Sequence, residues 1–325
     1  MSRIEVALVG ECMVELRGEA FGALQQGFGG DTLNTAVYLA RCGAARGLNV
    51  HYATALGTDA LSRELQRRWA AEGIDTGLVR EIDGRMPGLY QIAVDANGER
   101  SFSYWRDTSA AKAYFETDAT PLEAQAARWH ALYLSGISLA ILAPAGRERL
   151  FALMRALRER GALVVFDNNY RPRLWPDAET ARACFTRAFE LASLALVTAD
   201  DHAALFAPGD EAALLRHVEA LATPEIVVKR GAEPTLLRSA AEPGWWAVAT
   251  RAVPVVVDTT AAGDSFAAGY LCQRLFGASA EDAARFGNRL AARVIAHPGA
   301  LIERAAMADL IDEAALVAGP SFASP

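Results

Sequence analysis

The segment Asp258-Thr-Thr-Ala-Ala-Gly-Asp-Ser-Phe-Ala-Ala-Gly-Tyr270 brings two carboxylates and a glycine-containing turn to a point where a strand gives way to a helix. Residues 253–257 are apolar, interrupted by Pro254, and read as the strand. From Phe266 onward, Phe266, Tyr270 and Leu271 share one helical face. Successive backbone N–H groups at such a turn point outward, and the helix dipole reinforces them, so the place attracts an anion. A carboxylate in an anion site is electrostatically unfavourable unless it has work to do. Asp264 is placed to take a proton from a hydroxyl while the amides of Ala261, Ala262 and Gly263 hold developing phosphoryl charge. That chemistry is phosphoryl transfer to an alcohol. The alternative is that Asp258 and Asp264 only cap a helix start, ordinary work for acids.

The rest of the chain must carry partners to this turn. Apolar runs at residues 4–9, 50–56, 130–134, 163–166, 194–197 and 226–229 read as strands, most with amphipathic helical stretches between them. Behind Asp31, for example, Leu33, Ala36, Val37 and Ala40 recur at helical spacing. The alternation predicts an α/β fold: a largely parallel sheet with helices on both faces. Residues 265–317 read as nearly all helical and 318–325 as a frayed tail. No repeat, low-complexity tract or linker divides the chain, so 1–325 reads as a single domain. One segment breaks the alternation. Residues 88–94 and 101–106 are strand-like and flank Asp95-Ala-Asn-Gly98, in which Asn97-Gly98 is a hairpin signal. Residues 14–17 and 24–28 add strands to it. Together they read as a small sheet, built from about 12–30 and 86–108, that projects from the main body; an ordinary surface hairpin is the alternative.

Three further constellations carry chemistry. Gly29-Gly30-Asp31-Thr-Leu-Asn34 opens a helix; its glycines let backbone approach a ligand, and Asp31 and Asn34 can hydrogen-bond hydroxyls, or else simply make a turn and a cap. Tyr104-Trp-Arg106 lies on the small sheet. Asn168-Asn-Tyr-Arg-Pro-Arg-Leu-Trp175 follows a strand end, where open α/β sheets bind ligands. Arg forks suit carboxylates and phosphates, so Arg106 and Arg171 can converge on one anionic group, or else be solvated.

Composition narrows the class. Net charge is 32 − 39 = −7, which argues against sequence-independent nucleic-acid binding. Cys12, Cys42, Cys184 and Cys272 have no C-x-x-C spacing, which speaks against a disulfide framework or zinc site and for a reducing cytoplasm. The first apolar run is too short for a secretory signal, and no stretch approaches the roughly 20 apolar residues that span a bilayer. No G-x-x-x-x-G-K-[ST] is present, which excludes a P-loop kinase.

The string from Asp258 to Asp264 resembles the D-T-x-G-A-G-D signature of the ribokinase-like (PfkB) carbohydrate kinases, with Ala261 at its first Gly. Gly29 to Asn34 resembles their G-G-x-x-x-N. Gly10-Glu-Cys-Met-Val-Glu15, His51-Tyr-Ala-Thr-Ala-Leu-Gly-Thr-Asp59, Tyr133-Leu-Ser-Gly-Ile-Ser-Leu-Ala140 and Phe166 to Trp175 resemble the bacterial 2-keto-3-deoxygluconate kinase branch. The resemblance runs from Ile4 to about Arg304. It implies a ribokinase-like α/β/α sandwich whose small sheet is a lid over the sugar and a homodimer contact. It implies Gly30, Asn34, Tyr90, Tyr104, Arg106 and Arg171 as contacts to a keto-sugar acid. Asp264 is then the base acting on the C6 hydroxyl, with 2-keto-3-deoxy-6-phosphogluconate as product. A neutral-sugar kinase of the same family, or a catalytically silent sugar-acid-binding protein, is the alternative. For ATP it implies Lys229 and Gly231, from the V-K-x-G-like Ile226-Val-Val-Lys-Arg-Gly231, with Thr198 and Asn288. Pro234 stands where the family has a further Gly. Ala199-Asp-Asp201 falls where relatives carry N-x-x-E for Mg²⁺, with Ala203 at the Glu. Asp258 and the carbonyls near Thr260 resemble the K⁺ loop of ribokinase relatives.

Overall fold

The computed structural model describes residues 3–19, 21–94, 100–207, 209–240 and 242–316. Its main sheet is assembled from apolar runs that bury both faces. β1 (Ile4–Val9) sends Val6 and Leu8 into one core and Ala7 and Val9 into the other, the period-two alternation of a strand covered on both sides. It pairs in parallel with β4 (Leu48–Leu56) on one flank and β9 (Ala131–Ser135) on the other. Beyond β9 follow β10 (Leu163–Asp167), β11 (Leu194–Thr198) and β12 (Glu225–Lys229), all parallel. Beyond β4 lie the short β5 (Ile74–Asp75) and β6 (Val79–Glu81). Helices Asp31–Gly43, Ala262–Leu275 and Ala280–Val294 cover one face; Pro144–Glu159 and Ala178–Leu191 cover the other. This is the expected three-layer α/β/α sandwich.

The second sheet has four strands, β2 (Met13–Gly18), β3 (Leu24–Gly29), β7 (Gly88–Val94) and β8 (Arg100–Trp105), in the order β3-β2-β7-β8. β2 runs parallel to β7, and the outer pairs are antiparallel. All four strands read from sequence are present. The Asn97-Gly98 tip and the tail at 318–325 lie outside the described residues.

One expectation fails and one edge of the sheet was missed. Residues 253–257 are not a strand: Pro254 brings no N–H, and Val255, Val256 and Val257 are exposed. The stretch is tied instead by Val257 N–H donating to Ile295 O at 2.8 Å. The antiparallel edge is built by β13 (Thr235–Ser239) and β14 (Glu242–Val248), which the sequence reading assigned to no element. No helix among the described residues is long and apolar enough to cross a membrane.

Candidate active site

Strand order reverses between β9 and β1, so chain connections leave that point in opposite directions and open a crevice at the carboxyl ends of the strands. A cavity of about 460 Å³ occupies it, floored by the ends of β10, β11 and β12 and roofed by the four-stranded sheet, the lid of the sequence reading. Asp264 stands at its helical wall. The helix begins at Ala262, earlier than its apolar face suggested, which puts Asp264 in the first turn. The preceding residue, Ala261, takes the left-handed conformation (φ +61°), a costly one for alanine, so the turn is held by its surroundings.

Asp264 is half-buried. Its Oδ2 accepts from Asn34 Nδ2 at 2.8 Å, and its backbone carbonyl accepts from Thr35 Oγ1 at 3.3 Å. Burial, then the nearby charge of Asp31, then that of Asp167, pushes its carboxyl up to about 8, against the Asn34 hydrogen bond and Lys229, which pull it down. A group balanced near neutrality can take a proton from an alcohol and release it. Asp31, also raised by burial, accepts from Asn169 Nδ2 at 2.6 Å. Gly30 is required where it stands: a β-carbon there would lie 2.2 Å from Glu11 O.

The amides expected to form an anion hole differ from expectation in one case. Ala262 N–H donates to Thr259 O at 3.2 Å and is spent in the turn. The first-turn N–H groups of Gly263 and Asp264 have no intrahelical acceptor. Lys229 supplies the compensating charge, its Nζ lying 3.4 Å from where a β-carbon on Gly263 would be. The ammonium is oriented by Asp167 Oδ2 at 2.7 Å, which also accepts from Tyr133 OH at 3.3 Å. Asp167 was not singled out from sequence, although its place, the last residue of an apolar strand ahead of Asn168-Asn169, was a usable signal.

The lid contributes aromatics. Tyr90 stacks on Tyr104 (centroids 6.0 Å, 30°) and Tyr104 on Phe102 (6.3 Å, 16°); all three line the cavity, and the Tyr90 hydroxyl donates to Glu15. Arg171 lines it too, pairing with Asp201 at 3.2 Å. Arg106 does not line the cavity: it is ion-paired with Glu11 beneath the lid, so the two arginines do not converge in this state. Thr198 is at the cavity wall, but Gly231 and Asn288 are not. Asn288 accepts from Thr235 Oγ1 at 3.0 Å and donates to Ala249 O at 3.2 Å, tying a helix to the edge hairpin. Asp258 is a loop clamp: Oδ1 accepts from Thr260 N–H and Oγ1, and Oδ2 from Gly299 N–H at 2.9 Å.

A half-buried carboxyl beside free first-turn N–H groups, facing a cavity under a small sheet at the switch point of an α/β sandwich, is an arrangement suited to phosphoryl transfer to an alcohol. Residues 3–305 match the pfkB family carbohydrate kinase model, and the chain belongs to that family. It is 46% identical over 306 residues to a 2-dehydro-3-deoxygluconokinase of Escherichia coli (strain K12), covering 93% of this chain and 98% of the relative. It is 45% identical to one from Dickeya dadantii, covering 94% and 99%. Among solved structures, a fructokinase with bound ATP from Xylella fastidiosa superposes with TM-score 0.77 at 25% identity, covering 95% and 98%.

Proposed function

We propose that this protein transfers the γ-phosphoryl group of ATP to the C6 hydroxyl of 2-keto-3-deoxygluconate, giving 2-keto-3-deoxy-6-phosphogluconate. The observation that carries the reading is Asp264, a carboxyl balanced near neutral pH inside a cavity large enough for a sugar acid and a phosphate chain. The identity to 2-dehydro-3-deoxygluconokinases supports the substrate.

Each residue then has a role. Asp264 accepts the hydroxyl proton, and Asn34 fixes its carboxylate. The Gly263 N–H and Lys229 balance charge on the moving phosphoryl group. Gly30, Asp31 and Asn34 hold sugar hydroxyls, and Tyr90 and Tyr104 cover the ring. Arg171 reads the carboxylate, joined by Arg106 from the lid. ATP lies along Thr198, Lys229 and the turn at Ala261–Gly263; Gly231 and Asn288 frame that side from outside the cavity.

Charge counting favours a divalent cation. The cavity is lined by Asp31, Asp167, Asp200, Asp201 and Asp264 against Arg171 and Lys229, a balance of −3 with all ionised, before a triphosphate enters. Mg²⁺ keeps most of its waters and takes one or two protein carboxylates plus substrate phosphates, and Asp200 and Asp201 fit that donor set without an acid at Ala203. When bound it neutralises phosphate charge. K⁺ belongs to the same reading, beside the Asp258 loop, and exchange for Na⁺ in the assay tests it. The four cysteines are free, in keeping with a reducing cytoplasm. Phe21, Leu24 and Trp105 are exposed on the lid and are the surface we assign to a twofold contact, testable by sedimentation.

A coupled ADP-release assay on keto-sugar acids and neutral sugars tests the function. The expected result is kcat/KM for 2-keto-3-deoxygluconate far above that for fructose or ribose. Equal or better turnover of a neutral sugar overturns it.

A further inference from the structure

The foot of the lid holds a charge pair that folding alone does not call for. Tyr90 lies opposite Tyr104, and continuing that register sets Arg106 opposite Gly88, on the same face of the lid as the two cavity tyrosines. Gly88 leaves a hole there. A β-carbon on it would lie 2.8 Å from Glu11 Oε1, 2.9 Å from Met13 Cγ and 3.2 Å from Arg106 Cβ, so the glycine is what admits the carboxylate. Glu11 comes from the connection between β1 and β2, the point where the chain passes from body to lid. It is 2% exposed, and its Oε2 accepts from Arg106 Nη2. Glu11 Oε1 and Arg106 Nε are both buried without a hydrogen-bond partner. A half-satisfied buried ion pair costs stability, and apolar residues of similar volume would serve folding as well or better. Its use is therefore to be sought in what it fixes. A guanidinium has five N–H donors; Glu11 engages Nη2 and leaves others for a second carboxylate.

We propose that Glu11 is a positioning residue. It pins the Arg106 guanidinium at the foot of the lid, so that a sugar-acid carboxylate meets a prealigned fork rather than a free side chain. Fixing a long side chain in advance removes its ordering cost from substrate binding. The proposal rests on the keto-sugar-acid reading of the cavity.

The test is steady-state kinetics on Glu11→Gln, Arg106→Ala and the double variant, with Glu11→Asp as a charge-retaining control. Glu11→Gln is expected to raise KM for 2-keto-3-deoxygluconate about tenfold, leaving kcat and KM for ATP within about twofold, the loss of one prealigned charge-assisted contact. Glu11→Asp recovers part of that loss. In the Arg106→Ala background, Glu11→Gln changes nothing further, because nothing remains to be positioned. A merely structural Glu11 gives the opposite pattern: a KM effect that persists without Arg106, or parallel changes for both substrates. Either overturns the proposal, as does an unchanged KM in Glu11→Gln. If the wild-type protein turns over only neutral sugars, the substrate reading falls first and this proposal with it. If it turns over the acid and Glu11→Gln is silent, this proposal falls alone.

Discussion

Asp264→Asn should make the protein more stable and nearly inactive. The carboxyl is pushed from the ordinary 3.8 up to about 8. In the unfolded chain at pH 7 it is ionised; in the folded chain it is mostly protonated, and holding it there costs about 1.4 kcal/mol per pKa step between 3.8 and 7. The product, about 4 kcal/mol, is an upper bound, because Asp264 faces the cavity and is only half-buried, so water screens its charge. A gain of about 2–4 kcal/mol on replacement by asparagine is expected, roughly 3–6 °C in Tm for a chain of 325 residues. The asparagine carbonyl can still accept from Asn34. The sign follows from linkage. Between pH 3.8 and about 8 the folded protein binds more protons than the unfolded chain, so wild-type stability falls, relative to the variant, as pH rises through that window. Below about 4 the two proteins should be equally stable at this site, and above about 8 the gap should stop growing. Urea denaturation of both at pH 4 to 9 measures this. A stability difference that does not change with pH refutes the electrostatic account of the site. The same variant should bind the sugar acid normally while turnover falls about a hundredfold or more; near-normal turnover removes Asp264 from the mechanism.

Other outcomes follow from named contacts. Arg171→Ala and Arg106→Ala should each raise KM for the keto-sugar acid by about tenfold or more and leave KM for ATP nearly unchanged; Arg171, 51% exposed on its side chain, belongs at the lower end. Wild-type KM in both variants would mean that the carboxylate is read elsewhere. Ala261→Gly should stabilise the protein by about 0.5–1 kcal/mol in urea denaturation, since glycine adopts φ +61° without strain; a loss of stability would show that the methyl group is needed there. In wild-type protein, kcat/KM should climb with pH through about 8, as for a base that acts ionised in the free enzyme, and a flat profile from pH 6 to 9 counts against it. Hydrogen exchange across β7 and β8 should slow when the sugar acid binds, because the cavity side of the small sheet packs, among the described residues, as a small cluster of Met13, Tyr90 and Ile92 apart from the main core. Unchanged protection at saturating ligand would mean that the lid neither closes nor touches substrate.

The sheet was legible because its strands are buried on both faces and therefore spell continuous apolar runs of Val, Leu, Ile and Ala. Where a strand lies at an edge the spelling fails. β14 mixes Glu242, Pro243 and Gly244 with Trp245 and Trp246, and nothing local marks it as a strand; its partner β13 supplies the register. Residues 253–257 failed in the other direction, since an apolar run shows hydrophobicity but not a ladder partner, and Pro254 was the warning. In the site, motif residues that act through their own backbone or through neighbours in sequence were legible: Gly30, Asn34, Gly263 and Asp264 all reach the cavity. Ion pairing was not. Arg106 and Glu11 are 95 residues apart and Lys229 and Asp167 are 62 apart, so only the fold brings them together.

Those pairings change how the site must work. Arg106 is held by Glu11, Arg171 by Asp201 and Lys229 by Asp167, while Asp31 and Asp264 have no ion-pair partner among the described residues. An anionic substrate, on the proposed reading, therefore enters a cavity whose lining cations, Arg171 and Lys229, are already paired. On that reading it shares Arg106 with Glu11 and competes with Asp201 at Arg171, and that discriminates: a neutral sugar gains little by disturbing an existing ion pair, whereas a sugar acid brings a charge of its own. The protein meanwhile avoids leaving isolated guanidinium and ammonium groups half-buried, which would be more costly than the pairs themselves. Burial raises Asp31 and Asp201 as well and pushes Asp264 up to about 8; on the proposed mechanism Asp264 is the carboxyl whose ionisation the chemistry uses. An ion pair of its own would pull the Asp264 pKa down and make it a weaker base; Lys229 lowers it only as the last of several effects, being hydrogen-bonded to Asp167 and lying beside Gly263, where on the proposed mechanism its charge serves the transferring phosphoryl group.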